Sequence, residues 1–374
     1  MMNQSDDKIA GLATFSGTDH YTDRFAELDP SHFRSTGSLR LSSIGMGTYL
    51  GDATDEVDAQ YHESIIHAVL SGCNVIDTAI NYRYQRSERV VGGAVRWLID
   101  HGFTRDELVI CTKGGYIPFD GAAPKDPYAW IEENLIRTGL VTPEDIHPDG
   151  HCMDPMFINA QIDRSLDNLG LEAIDVYYLH NPETQLSELN EPRFYEALTM
   201  AFRAMEIAVQ DGRIGAYGIA TWDAFLEQNG GRQPLQLEKI IDAARQAGGR
   251  QHHLAYVQLP VNLAMLDAIY LPNQKMSGQN FSFVEAAQAQ GLTVVASASL
   301  LQGHLAQKMS PVLQQAIVGP TTDATRALQF ARSAPGVATA LTGMRSRDHV
   351  TENLTLASLP EMSANEINML FGDR

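Results

Sequence analysis

Eight short apolar runs alternate with eight segments of helical periodicity, and this alternation most narrows what the 374-residue chain can fold into. The runs are Leu41–Gly47, Asn74–Asp77, Leu108–Thr112, Ile174–Leu179, Ile214–Ala220, Ala255–Leu259, Leu292–Ser297 and Val337–Leu341. Between and after them lie Val57–Ser71, Ser87–His101, Asn159–Leu169, Arg193–Asp211, Gln236–Ala247, Phe281–Gln290, Thr322–Ser333 and Ser346–Ala357, in which apolar residues recur at three- and four-residue spacing. Strand and helix in strict succession predict a parallel sheet, and eight such units in one chain predict that it closes into a (β/α)8 TIM barrel, an α/β single-domain fold. An open doubly wound sheet would want G-x-G-x-x-G after its first strand. The turn there, Gly45-Met46-Gly47-Thr48-Tyr49-Leu50, lacks the third glycine.

The barrel is expected over residues 38–374, preceded by a polar extension, 1–37, that drapes over it or is partly disordered. Two stretches break the rhythm, 114–155 and 260–280. In a barrel both would project over the C-terminal face, where loops of this length commonly serve binding.

The balance of 27 Lys+Arg against 46 Asp+Glu leaves a net charge of −19. A surface this acidic disfavours nucleic acid and anionic membranes as partners. The sequence shows no apolar run long enough to span a bilayer and no basic-then-apolar leader, and Cys73, Cys111 and Cys152 are too few and too odd for a disulfide framework. These features point to a cytoplasmic location. The expected partner is a small molecule, and nothing in the sequence sets an oligomeric state.

Four residues of defined chemistry sit at or just past the ends of consecutive strands: Asp77, Tyr82, Lys113 and His180. That end of a parallel barrel carries the active site. Reducing a carbonyl requires a proton for the developing alkoxide. The phenol of Tyr82 could give it if its ordinary pKa of about 10 were lowered. Lys113 would supply a neighbouring ammonium for that purpose, Asp77 would hold Lys113, and His180 would hydrogen-bond the carbonyl oxygen. Each residue alone has an ordinary structural explanation; their coincidence at the ends of strands two, three and four is the signal.

The stretch Asp77-Thr78-Ala79-x-x-Tyr82 with Ser87-Glu88 and Val91-Gly92, then Thr112-Lys113, then Asp175-Val-Tyr-Tyr-Leu-His180-Asn-Pro182, resembles the motifs of the aldo-keto reductases. The likeness extends to Ile44-Gly-Met-Gly-Thr48, Val257-Gln258 and Glu352-Asn353, over roughly 38–360. It implies an NAD(P)H-dependent oxidoreductase that reduces an aldehyde, ketone or sugar carbonyl, or runs the reverse reaction, with Asp77, Tyr82, Lys113 and His180 as its catalytic tetrad. By position, Gly47, Thr48 and Asp77 would line the nicotinamide ribose, Thr221 and Gln258 would meet the carboxamide, and Ser297 would face the ring. The turn from Leu300 to Gly303 would wrap the pyrophosphate, and Gly343, Arg345, Glu352 and Asn353 would hold the adenosine half. Arg345, with Arg347 second, is placed for a 2′-phosphate, which favours NADP(H) over NAD(H). A second class of relative, a nucleotide-sensing regulatory subunit, would use the same barrel without turnover.

This chain departs from the resemblance in places. Where the family has Gly-Val-Ser-Asn, it has Gly218-Ile219-Ala220-Thr221-Trp222, and Ser297 stands where many members stack an aromatic ring. Within 114–155, the aromatics Tyr116, Phe119, Tyr128 and Trp130 could shape a substrate pocket or anchor the loop. His147, His151, Cys152 and Asp154 match no standard metal-ligand spacing, and no metal is expected. Arg83 could meet an anionic substrate group or pair with the acidic surface.

Overall fold

Along a strand, successive side chains face opposite ways, and here that parity separates two cores. The computed structural model describes residues 8–226 and 233–371; residues 1–7 of the expected extension and 372–374 of the expected barrel lie outside them. The barrel strands are β1 Ile44–Gly47, β2 Val75–Asp77, β3 Val109–Gly114, β4 Ile174–His180, β5 Ile214–Ala220, β6 Leu254–Pro260, β7 Thr293–Ser297 and β8 Val337–Gly343. All pair in parallel, and β8 meets β1 with Ala340 opposite Ile44, closing the sheet. Val75, Val109, Cys111, Val176, Tyr178, Tyr256, Val295 and Leu341 fill the interior, while Ile76, Ile110, Tyr177, Leu179, Ile219 and Val257 pack outward against the helices.

The outer ring is α1 Asp55–Val69, α2 Arg86–Asp100, α3 Pro155–Leu169, α4 Glu191–Gln210, α5 Leu237–Gly248, α6 Phe283–Ala289, α7 Asp323–Ser333 and α8 Arg347–Leu354. Most begin on a side chain that accepts otherwise unpaired amides: Thr54, Asp154, Asn190, Ser282, Thr322 and Ser346. Gly92 of α2 faces the Leu169 carbonyl at the end of α3 so closely that a methyl group there would collide with it. This contact explains the glycine of the Val91-Gly92 motif.

Three expectations change. The run Leu41–Gly47 divides: Arg40–Ser42 pairs antiparallel with Phe33–Ser35, and only Ile44–Gly47 enters the barrel. Ser42 causes the break, since its amide bonds the Asn74 side chain (2.8 Å) and its hydroxyl the Ile44 carbonyl (2.8 Å). The hairpin straddles position 37, and Leu39 and Leu41 plug the barrel floor. Ahead of it a helix, Phe15–Asp23, seats Tyr21 in the core, with its hydroxyl bonded to the Val69 carbonyl at 2.6 Å.

Residues 260–280 leave the end of β6 for the rim of the same face, at the N-terminus of α5. Their hairpin, Gln274–Met276 with Gln279–Phe281, brings Gln274 to accept the Leu237 amide at 2.8 Å, capping a helix whose own Gln236 makes no side-chain cap. Leu263, Leu266 and Ile269 pack on a cluster that holds the C-terminal helix Ala364–Phe371 through Ile367.

Candidate active site

Because Asp77 ends β2 and Lys113 is the penultimate residue of β3, strand parity turns both side chains into the barrel beneath its mouth. The Lys113 ammonium is fully buried and uses its three donors on the Asp77 carboxylate, the Thr78 carbonyl (2.9 Å) and the Tyr82 hydroxyl (3.4 Å). The other Asp77 oxygen accepts from the Gln258 amide on β6 at 2.9 Å. His180, the last residue of β4, presents its ring to Tyr82 at 5.8 Å and 74°.

Tyr82 is fixed by a turn the sequence does not advertise. Arg83, Tyr84 and Gln85 all adopt left-handed backbone (φ 46°, 58° and 69°), a cost that surrounding contacts must offset. The buried Arg83 guanidinium bonds Asp58 at 2.5 Å and Ser87 at 3.0 Å and lies over the Tyr61 ring. Gln85 donates to the Pro118 carbonyl at 3.0 Å. Arg83 is therefore a strut of this turn, not a substrate contact.

Charge within the cluster follows from burial. Burial pulls the Lys113 pKa down, but the Asp77 charge, the Tyr82 hydroxyl and their hydrogen bonds outweigh it; the net shift is upward and Lys113 stays an ammonium. For Tyr82 the balance departs from expectation: burial raises the phenol above its ordinary value, and Lys113 only opposes that rise. Burial, reinforced by the Lys113 charge, holds His180 well below the ordinary histidine value, so its ring is neutral at physiological pH.

Above the cluster lies a cavity of about 860 Å³ lined by Asp77, Tyr82 and His180, with Lys113 buried beneath Asp77 and Tyr82. Of the residues expected to hold a nucleotide, all but Arg347, the second choice for the 2′-phosphate, line it: Gly47 at the end of β1 and Thr48 after it, Thr221 after β5, Gln258 on β6, and Ser297 at the end of β7. Leu300 and Gly303 follow in a turn with left-handed residues at Ala298, Leu301, Gln302 and Gly303, and Gly343, Arg345, Glu352 and Asn353 complete the far side. Among the described residues, the buried Thr221 and Thr342 hydroxyls and the Asn81 side-chain amide oxygen have no hydrogen-bond partner, and all three residues line this cavity. A methyl on Gly47 or Gly343 would meet ordinary contacts or open space, so packing alone does not call for glycine there. Unpaired polar atoms beside bare backbone suit a polar ligand that presses close.

Tyr49 and Asn181 also line the cavity, although sequence reasoning did not assign them there, and so does Trp222, for which the sequence left open either a stacking surface in this pocket or buried packing. Asn181 follows His180 directly, which was the available signal. Of the aromatics in 114–155, only Tyr116 reaches the cavity; Phe119 packs edge-on to Trp130 at 5.2 Å as an anchor, and Tyr128 is exposed. His147 bonds Ser187 (2.6 Å), Asp154 caps α3, and no group of three or more His, Cys, Asp or Glu able to hold a metal occurs among the described residues.

The chain matches the model of the aldo/keto reductase family over residues 43–316. It is 26% identical over 194 residues to the NADH-specific methylglyoxal reductase of Escherichia coli, covering 50% of this chain and 51% of that protein. It is 32% identical over 158 residues to a Pseudomonas D-threo-aldose 1-dehydrogenase, covering 40% of each. The chain thus spans about half the length, or less, of the curated relatives it matches. An aldo/keto reductase from Klebsiella pneumoniae, solved with NADP and acetate, superimposes with a TM-score of 0.61 at 23% identity, covering 91% of this chain and 94% of that one, which speaks for the shared fold. No described helix is long and apolar enough to cross a membrane.

Proposed function

The chain belongs to the aldo/keto reductase family, and from that premise we propose that it is an NADP(H)-dependent oxidoreductase interconverting a small aldehyde, ketone or sugar carbonyl and its alcohol, with Tyr82 as proton donor. The observation that carries this reading is the buried Lys113 ammonium joining Asp77 to Tyr82 beneath a cavity that Asp77, Tyr82 and His180 line.

A bound nicotinamide nucleotide supplies the hydride. Gly47, Thr48, Thr221 and Gln258 would hold its nicotinamide end, and Glu352 and Asn353 its adenosine end. Relatives include an NADH-specific reductase and a protein solved with NADP. Arg345, beside the N-terminus of α8, favours the 2′-phosphate here, because a guanidinium and free helix amides recognise the same anion.

The neutral imidazole of His180 orients the substrate oxygen by a hydrogen bond, which strengthens as that oxygen gains charge. Burial keeps Tyr82 protonated at rest. The alkoxide takes that proton, and Lys113 stabilises the phenolate left behind. Asp77 keeps the ammonium in place, and in the oxidative direction the Tyr82 oxygen takes the proton from the alcohol.

The test is turnover by the purified protein. NADPH fluorescence should be perturbed on binding, and NADPH should be consumed with 4-nitrobenzaldehyde. Binding without turnover across a carbonyl panel would favour the nucleotide-sensing reading, for which the altered residues Ala220, Thr221 and Ser297 give some ground; binding of neither NADPH nor NADH would overturn both.

A further inference from the structure

The long excursion after Lys113 closes on itself before it leaves the barrel. Tyr116 and His151 form an antiparallel bridge, Ile117 donates to Gly150 (2.8 Å) and Cys152 to Gly115 (2.7 Å). Gln161 of α3 clamps one side of this neck, accepting from the Gly115 amide and donating to the Tyr116 carbonyl, both at 2.7 Å. The neck stands against His180. The His151 ring bonds the His180 carbonyl through Nε2 at 2.7 Å, and the Tyr116 ring lies perpendicular to both imidazoles, 4.9 Å from His151 and 5.3 Å from His180.

The chemistry of these contacts fixes a tautomer. A carbonyl only accepts, so His151 Nε2 carries the hydrogen and Nδ1 accepts from the Gln185 amide at 3.0 Å. Burial lowers the His151 pKa to about 4, so that arrangement holds at neutral pH. The His180 carbonyl needs such a partner because its strand ends there: Asn181 turns into left-handed backbone at φ 43°. Gly115 makes the approach possible, since a Cβ on it would come within 2.8 Å of His151 Nε2 and 3.1 Å of the His180 carbonyl.

We infer that His151 and Tyr116 are positioning residues for His180, so that the excursion 114–155 acts in the reaction through its neck by setting the imidazole that orients the substrate carbonyl. His151 pins the backbone of His180, and Tyr116 walls its ring. Neither residue transfers a proton. The inference rests on the reductase reading for its kinetic consequence but not for its structural one, and the experiment separates the two.

His151→Phe keeps a ring and removes the donor, whereas His151→Gln keeps an amide donor. With 4-nitrobenzaldehyde, His151→Phe should lower kcat about 10- to 100-fold, the scale of a catalytic group displaced by an ångström. The NADPH Kd should stay within about twofold, and His151→Gln should recover most of the rate, since an amide can replace the donor. The advantage of 4-nitro- over 4-methoxybenzaldehyde should widen in His151→Phe, because a misplaced hydrogen bond leaves more of the activation to the substrate. In histidine-labelled protein, the ring resonances identified by their absence from His180→Gln should shift or double in His151→Phe and stay put in His151→Gln. Tyr116→Leu carries the same expectations if His151→Phe does not fold. A folded His151→Phe with unchanged kcat and unmoved His180 resonances overturns the inference. Wild-type protein without carbonyl turnover would instead sink the reductase reading, and the resonances alone would then decide the positioning claim.

Discussion

Replacing Lys113 with Met isolates what the buried ammonium contributes, because the side chain keeps most of its length and loses only its charge and donors. At 3.4 Å from the Tyr82 oxygen and an effective dielectric of about 20, the ammonium stabilises a full phenolate charge by about 5 kcal/mol. If the proton is about half transferred in the transition state, roughly half of that is realised, and kcat falls about 100-fold. The solvent deuterium isotope effect on kcat should rise as proton transfer becomes more limiting. The variant also strands a buried carboxylate at Asp77, a destabilisation of about 3–5 kcal/mol, so assays belong below its lowered melting temperature. The NADPH Kd, read by fluorescence, serves as the control for an intact site. A folded Lys113→Met that binds NADPH normally and turns over within threefold of wild type refutes the electrostatic reasoning.

Three further outcomes follow from the same structure. His32 and His151 titrate near 4 because burial disfavours their charged forms; the unfolded chain takes up protons that the folded one refuses, so stability present above about pH 6.5 is lost as pH falls toward 4, by about 3 kcal/mol for each. Thermal unfolding against pH should show this limb, and His32→Gln should flatten it; an unchanged slope would contradict the assignment. Arg345→Ala should weaken NADPH about tenfold or more while leaving NADH nearly unaffected, and equal losses for both nucleotides would show that Arg345 does not read the 2′-phosphate. Gly92→Ala should lower the melting temperature through a cost of about 1–3 kcal/mol, because its methyl meets the Leu169 backbone; a neutral substitution would mean that α2 and α3 can slide apart.

How much of this was legible in the sequence depended on the kind of physics involved. Strand order placed Asp77, Lys113 and His180 at one end of the barrel, and the resemblance added Gln258; that their side chains turn inward there follows from strand parity. The turn that fixes Tyr82 was not legible: three consecutive non-glycine residues in left-handed backbone carry no compositional mark, and besides the nearby Ser87 their support comes from Asp58 and Pro118, 25 and 33 residues away. The direction of the Tyr82 shift was also out of reach, since it is a contest between burial and the Lys113 charge that only packing decides. Residues 260–280 were expected over the mouth from length alone, whereas their position is set by Gln274 capping α5 in place of a missing local cap. The histidines of the long excursion matched no metal-ligand spacing and carried no role legible in the sequence; His151 serves the backbone of His180, an interaction between a side chain and a carbonyl 29 residues away.

The central claim is that Tyr82 gives the proton at a site that also binds NADP(H), and Tyr82→Phe tests it most directly. The substitution removes one oxygen from a ring held by Tyr49 and His180. A general acid contributes about 10²- to 10⁴-fold, so NADPH consumption with 4-nitrobenzaldehyde should fall within that range while the NADPH Kd stays within about twofold. Turnover by Tyr82→Phe at a rate close to wild type, with nucleotide binding intact, would contradict the account.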